Sequence, residues 1–241
     1  MTLVTWNLQG SAGVDAEQVA ASLRDAGASV VFLQEVGRRD ATAISQALGA
    51  ASVTWGFKHW PVIRRPEGMA VLGVVARVPA TTMALTYRWR WWSWRRRIVQ
   101  HARLVVDGMA ISAVNAHLSP HGAEDLRRRE VEQLLQCAGD ISRSIVAGDL
   151  NDGPRGPVVG RLANAGLRDA RESATSRSGG DNTNWSGTRS GPPDQCLDYV
   201  FHGEALQAVS LAVPSVPDAA GWTRWAALSD HLPVTVVLTA Q

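Results

Sequence analysis

Acidic, amide and imidazole side chains recur in this sequence at the ends of runs that read as β-strands. Asn7 closes a run beginning at Met1, and Glu35 follows Val-Val-Phe-Leu-Gln. Asn115 and His117 end another run, and Asp149 and Asn151 follow Ser-Ile-Val-Ala-Gly. Asp198 lies within Leu-Asp-Tyr-Val-Phe, while Asp230 and His231 immediately precede the last apolar run. Strand ends deliver side chains to a common rim, which is where α/β folds place their sites. Taken singly, each residue has an ordinary use, since aspartate and asparagine form turns and caps. Their recurrence on separate strands points to one shared site.

The residue types suit one chemistry. Glu35 and Asp230 offer hard anionic oxygens and Asn7 a neutral one, a set suited to Mg²⁺ or Mn²⁺ and poor for zinc. His231 can activate water as a general base, with Asp198 orienting its imidazole. Asp149 can orient the attacking water, and Asn151 can donate a hydrogen bond to a phosphoryl oxygen. His117 can neutralise charge as it develops on a phosphate. The chemistry these types predict is metal-dependent hydrolysis of a phosphate ester.

The ordered set resembles the endonuclease/exonuclease/phosphatase superfamily. Its pieces here are Thr-Trp-Asn-Leu at residues 5–8, Leu-Gln-Glu at 33–35, Asn-Ala-His-Leu at 115–118, Gly-Asp-Leu-Asn at 148–151, Leu-Asp-Tyr-Val at 197–200 and Ser-Asp-His at 229–231. The resemblance implies a four-layered αββα sandwich of the deoxyribonuclease I type, with the site at one edge of two sheets. It implies that Glu35 is the principal metal ligand, beside Asn7 and Asp230, and that Asp198 and His231 form an acid–histidine pair. Glu67 resembles the glutamate that pairs with the middle histidine in some members. Repair enzymes of the exonuclease III type carry tyrosine near the position of His117, so an abasic-site repair role is disfavoured.

Those residues need a scaffold. Runs read as strands cover Met1–Asn7, Val30–Gln34, Met69–Arg77, Thr81–Arg88, Arg97–Val106, Met109–Asn115, Ser144–Ala147, Leu197–His202, Leu206–Val213 and Leu232–Leu238. Helical periodicity covers Asp15–Ala26, Ala41–Leu48 and Glu124–Ile141, with Asp15 as N-cap and Gly27 as terminator. Asp107-Gly108 marks a hairpin. The polar, glycine-rich stretch Ser173–Pro193 reads as a surface loop. No linker or repeat divides the 241 residues, which reads as a single α/β domain over 1–241.

Composition bounds the partners. The net charge of +2 is too small by itself to indicate a nucleic-acid partner. Lys58 is the only lysine among the basic residues, a bias attributed to base composition. Cys137 and Cys196 are far apart and read as isolated buried thiols. No run approaches the roughly 20 apolar residues of a membrane-spanning helix, and no signal peptide is visible, so a cytoplasmic location is the default expectation.

The stretch from Arg88 to Arg97 interleaves four tryptophans with five arginines. Trp91 and Arg95 in it are candidates for gripping a substrate, by stacking on bases and contacting phosphates, or by meeting a lipid headgroup. Trp185, in the loop before Asp198, is a candidate for lining the cleft. The arginines at 127–129 read as a solvated helix face. The leading function is a phosphodiesterase of nuclease type acting on nucleic acid. The alternatives are a phosphomonoesterase or phospholipid-directed hydrolase and, from another class, a non-catalytic binding module.

Overall fold

A computed structural model describes residues 1–10, 13–59, 67–90, 93–120, 122–214 and 222–241, with the backbone alone at residues 59, 86–90, 93–95 and 223. Its strands are β1 (Thr2–Asn7), β2 (Val30–Val36), β3 (Ser52–His59), β4 (Glu67–Gly73), β5 (Ala80–Arg90), β6 (Ser93–Val106), β7 (Met109–His117), β8 (Ser144–Asp149), β9 (Arg168–Asp169), β10 (Ser176–Gly179), β11 (Asp198–His202), β12 (Leu206–Val213) and β13 (Val234–Ala240). The helices are α1 (Ala16–Asp25), α2 (Arg38–Leu48), α3 (Glu124–Ala138), α4 (Pro157–Asn164), α5 (Ala170–Ser173) and α6 (Thr223–Leu228). None of the described helices is long and apolar enough to cross a membrane.

Two mixed sheets result, in the orders β10-β12-β13-β1-β2-β4-β3 and β5-β6-β7-β8-β11-β9. The strands alternate apolar residues on both faces, because side chains on a strand point to opposite sides with period two. In β1 and β2, Leu3, Val30 and Phe32 pack towards the second sheet, among Ala113, Ile145, Ala147 and Val200. Their neighbours Val4, Trp6, Val31 and Leu33 face outward under Val19 and Leu23 of α1 and Ala41 and Ile44 of α2. On the far side, Val114, Val146 and Phe201 lie under Val131 and Leu134 of α3 and Val158 and Leu162 of α4. The layers are therefore helix, sheet, sheet, helix, the αββα sandwich.

The intersheet space is polar towards one end. Gln34 donates to Thr5 Oγ1 at 2.9 Å and to Asn115 Oδ1 at 2.7 Å, and Asn115 donates to Gln100 Oε1 at 3.1 Å. Buried amides are mostly paired, and here only Gln34 Oε1 lacks a partner among the described amide atoms of the network. This network staples the two sheets directly beneath the strand ends that carry Glu35 and His117.

Several elements differ from the sequence reading. The stretch β3 was not expected as a strand, nor were the short helices α4, α5 and α6. Within the stretch read as a loop, residues 176–179 form β10, parallel to β12. The long helix stops at Ala138, where Gly139 takes a positive φ, instead of running to Ile141. Arg127 is not on a solvated face. It is buried and donates to the carbonyls of Ser119 and Pro120 at 3.3 and 2.7 Å. Both cysteines are free thiols, Cys196 buried and Cys137 partly so.

Candidate active site

Strand register assembles the site. In the second sheet His117 pairs with Asp149 across β7 and β8, and Asp149 pairs with Asp198 across β8 and β11. Three polar residues thus stand side by side at one edge. In the first sheet Asn7 ends β1 and Glu35 lies next to the end of the adjacent parallel strand β2. The two edges face one another, and Asn7 Nδ2 crosses to donate to Asp149 Oδ2 at 3.0 Å.

Backbone irregularities aim these groups. Glu35 takes φ 51° where the pairing of β2 with β4 shifts register between Gln34 and Val36. Such a bulge redirects one side chain out of the strand's alternation. Gly10 permits it, since a Cβ there would lie 2.2 Å from the Glu35 carbonyl oxygen. Gln9 and Asn151 also adopt positive φ, at 45° and 50°, so strained backbone gathers around the site.

His231 lies between two aspartates. Its Nδ1 is 2.7 Å from Asp198 Oδ2, and its Nε2 faces Asp149 Oδ2 at 3.9 Å. Asp198 Oδ2 also accepts from Thr183 Oγ1 at 2.6 Å, while Asp198 Oδ1 is buried with no partner among the described residues. Backbone contacts hold His231 from both sides. Trp6 Nε1 donates to its carbonyl at 2.8 Å, and Ser229 Oγ accepts from its amide at 3.1 Å while donating to the Asn7 carbonyl at 2.6 Å.

His117 and Glu35 form the other half. His117 Nε2 lies 3.6 Å from both Glu35 Oε1 and Asp149 Oδ2. Glu67 reaches this histidine's neighbourhood through a residue assigned no chemistry from sequence. Lys58 Nζ donates to Glu67 Oε1 at 2.9 Å, approaches His117 Nδ1 at 3.3 Å and lies 3.8 Å from Glu35 Oε1. The chain's one lysine is therefore a buried member of the cluster, and base composition does not account for its place there.

Charge is concentrated and poorly solvated. Burial raises the carboxyl pKa of Glu35, opposed by Lys58 and reinforced by Glu67 and Asp149. Burial likewise raises Asp149, with His231 opposing and Asp198 reinforcing. For His231, burial favours the neutral ring, but Asp198 in contact with it, then Asp149 and Asp230, outweigh burial and raise its pKa to about 10. Burial and nearby Arg97 lower Lys58, against the pull of Glu35 and Glu67.

The donor set fits a hard divalent cation. Clustered, desolvated carboxylates repel one another, and a cation relieves that repulsion. Asp149, Asp198 and His231 offer ligand atoms within 4.8 Å of one another. In that set, however, the Asp198–His231 contact already occupies Oδ2 and Nδ1. Glu35 and Asp230 are the more open carboxylates, their side chains 25% and 23% exposed. Asp230 is flanked by Arg189 at 3.9 Å.

Among the remaining candidates, Asn151 donates its amide N–H to Asp149 Oδ1 at 2.9 Å and Nδ2 to the Leu118 carbonyl at 3.0 Å. Trp185 does not line a cleft. It is 5% exposed, donates to the Gly191 carbonyl at 2.7 Å and packs edge-on against Trp222, because an indole of that area is more stable in the core. Trp91 and the side chain of Arg95 lie outside the described residues. Thr183 and Lys58 are the participants that sequence reasoning missed. The bridging of Asn184 to Gln195 and to His231 fixes the loop around Thr183 in place.

Comparison with known proteins identifies the family and agrees with the fold. The sequence model of the endonuclease/exonuclease/phosphatase family matches residues 4–231. No curated protein matches the sequence. Similar solved structures include a Bacteroides vulgatus endonuclease/exonuclease/phosphatase protein, with a TM-score of 0.79 at 18% identity, covering 100% of this chain and 98% of the other. A mannosyl-6-phosphatase from Bacteroides thetaiotaomicron superposes with a TM-score of 0.77 at 16% identity, over 99% of each chain. The catalytic domain of human Nocturnin, with bound sulfate, gives 0.72 at 20% identity, over 100% of this chain and 93% of that one. At these identities the likeness is one of fold.

Proposed function

The chain belongs to the endonuclease/exonuclease/phosphatase family, and from that premise we propose that it is a divalent-metal-dependent phosphoesterase, a phosphodiesterase of nuclease type. The observation that carries this reading is the Asp198–His231 contact at 2.7 Å, with His231 Nε2 turned towards Asp149. A carboxylate on Nδ1 keeps the proton there and leaves Nε2 as the basic atom.

Glu35, Asn7 and Asp230 would hold the cation, Mg²⁺ or Mn²⁺, which when bound supplies charge neutralisation at the phosphoryl oxygens. With the carboxylate charge balanced, the upward pull of Asp149 and Asp230 on His231 weakens, and the ring moves towards the range useful to a base. His231 Nε2 then takes a proton from water oriented by Asp149. The water oxygen bonds to phosphorus, the bond to the leaving oxygen breaks, and that oxygen takes a proton from solvent while His231 returns its proton to solvent. His117 and Asn151 donate hydrogen bonds to the phosphoryl group, stabilising charge as it develops. Trp91 and Arg95 are proposed to grip the substrate.

A second reading, phosphomonoesterase, draws on the mannosyl-6-phosphatase whose whole length this chain matches. The test is hydrolysis of plasmid DNA, single-stranded DNA, RNA, bis-p-nitrophenyl phosphate and p-nitrophenyl phosphate, each with Mg²⁺, Mn²⁺ or EDTA. Metal-dependent cleavage of a nucleic acid is the expected result. Turnover of the monoester alone would replace it with the second reading.

A further inference from the structure

Twenty-four side chains are lysine or arginine, and only Lys58 is lysine. It sits where β3 shifts register against β4, between Phe57 and His59, a bulge that turns it into the intersheet edge. Arg96 Nε fixes its carbonyl at 3.0 Å. We propose that Lys58 is a positioning residue which holds His117 in the tautomer with its proton on Nε2, directed at the phosphoryl group. This rests on reading the cluster as a phosphoesterase site.

Two independent constraints agree. Glu67 and Glu35 favour the ammonium form of Lys58, which has three donors and no acceptor, so the ring nitrogen 3.3 Å from its Nζ is placed to accept. A neutral imidazole with Nδ1 accepting carries its proton on Nε2. From the other side, Nε2 faces two carboxylate oxygens at 3.6 Å, where a lone pair would be repelled and an N–H attracted. Glu67 at 2.9 Å and Glu35 at 3.8 Å balance the lysine charge. A compact ammonium can address Glu67 and His117 from one point in different directions, which the flat fork of an arginine cannot. Lys58 on Nδ1 makes His117 a donor at Nε2, whereas Asp198 on Nδ1 of His231 keeps a proton on that nitrogen.

The experiment is long-range ¹H–¹⁵N correlation of the imidazole nitrogens in the metal-free full chain at neutral pH, with His117 assigned by its absence in His117→Gln. The expected spectrum has an unprotonated Nδ1 and a protonated Nε2. A proton on Nδ1, alone or together with one on Nε2, overturns the proposal. In Lys58→Met the two nitrogens are expected to move towards averaged shifts, and kcat on bis-p-nitrophenyl phosphate to fall ~10–100-fold with little change in KM. An unaltered His117 spectrum in that variant also overturns it. If Lys58→Met fails to fold, Lys58→Met with Glu67→Gln removes the buried carboxylate charge that Lys58 balances and gives the same readout. A wild-type protein with the expected tautomer that hydrolyses no phosphate ester supports the positioning and rejects the phosphoesterase reading.

Discussion

Among the residues of the site, His231 has the charge state most tightly tied to its neighbours. Three aspartates raise its pKa to about 10 against the effect of burial. A raised pKa means the proton is retained, so in metal-free protein the ring stays cationic through neutral pH and releases its proton only as pH rises towards that value. Adding Mg²⁺ or Mn²⁺ is expected to lower this pKa, as followed by NMR titration of the ring; a value unmoved by metal would separate His231 from the cation site. The opposite competition acts at the ligands. Burial raises the proposed ligand Glu35 above its ordinary carboxyl pKa, so protons compete with metal at higher pH than usual. Calorimetry is expected to show metal affinity falling as pH is lowered through the acidic range. Glu35→Gln is expected to raise the metal concentration needed for half-maximal activity, and an unchanged requirement would remove Glu35 from the ligand set.

At the level of elements, close backbone approach fixes the site's frame. Gly148 precedes Asp149 with φ 140°, and a Cβ there would lie 1.9 Å from the Ala116 carbonyl oxygen of the neighbouring parallel strand. Gly148→Ala is therefore expected to cost about 1–3 kcal/mol or more of stability, measured by denaturant unfolding; a neutral result would mean that β7 and β8 can separate. Much of this frame was legible because the apolar runs before Asn7, Glu35, His117 and Asp149 are strongly patterned and each motif ends its strand. The element carrying Lys58 was not. Gly56 interrupts the run of β3, and its Thr-Trp-Gly-Phe-Lys-His stretch lacks a sustained apolar alternation. β10 reads Ser-Arg-Ser-Gly and has no buried side chain to mark it. Thr183 escaped notice because a hydroxyl in a polar loop gains meaning only when the loop folds onto Asp198. Trp185 was misplaced for a related reason: an aromatic in a loop carries no sign of whether it turns outward or into the core.

Across the whole molecule, the sandwich places two strand edges face to face, and the polar staple of Gln34, Asn115 and Gln100 keeps the sheets in register beneath the chemistry. Neither sheet holds a complete set alone: Asn7 and Glu35 come from one, His117, Asp149 and Asp198 from the other. The net charge of +2 provides little long-range field, so nucleic-acid affinity must come from local contacts. Binding to DNA or RNA is expected to weaken steeply between about 50 and 200 mM salt through counterion release, whereas KM for a small phosphate monoester should change little.

The proposed activity is metal-dependent hydrolysis at the Asp198–His231 pair. The most direct measurement is turnover of bis-p-nitrophenyl phosphate by wild type and His231→Ala, with Mn²⁺ and with EDTA, and with folding of the variant checked by circular dichroism. Wild-type turnover that requires the metal and falls on the order of 10²–10⁴-fold in the folded variant is the predicted result. Turnover in EDTA, or near-normal turnover by folded His231→Ala, would contradict it.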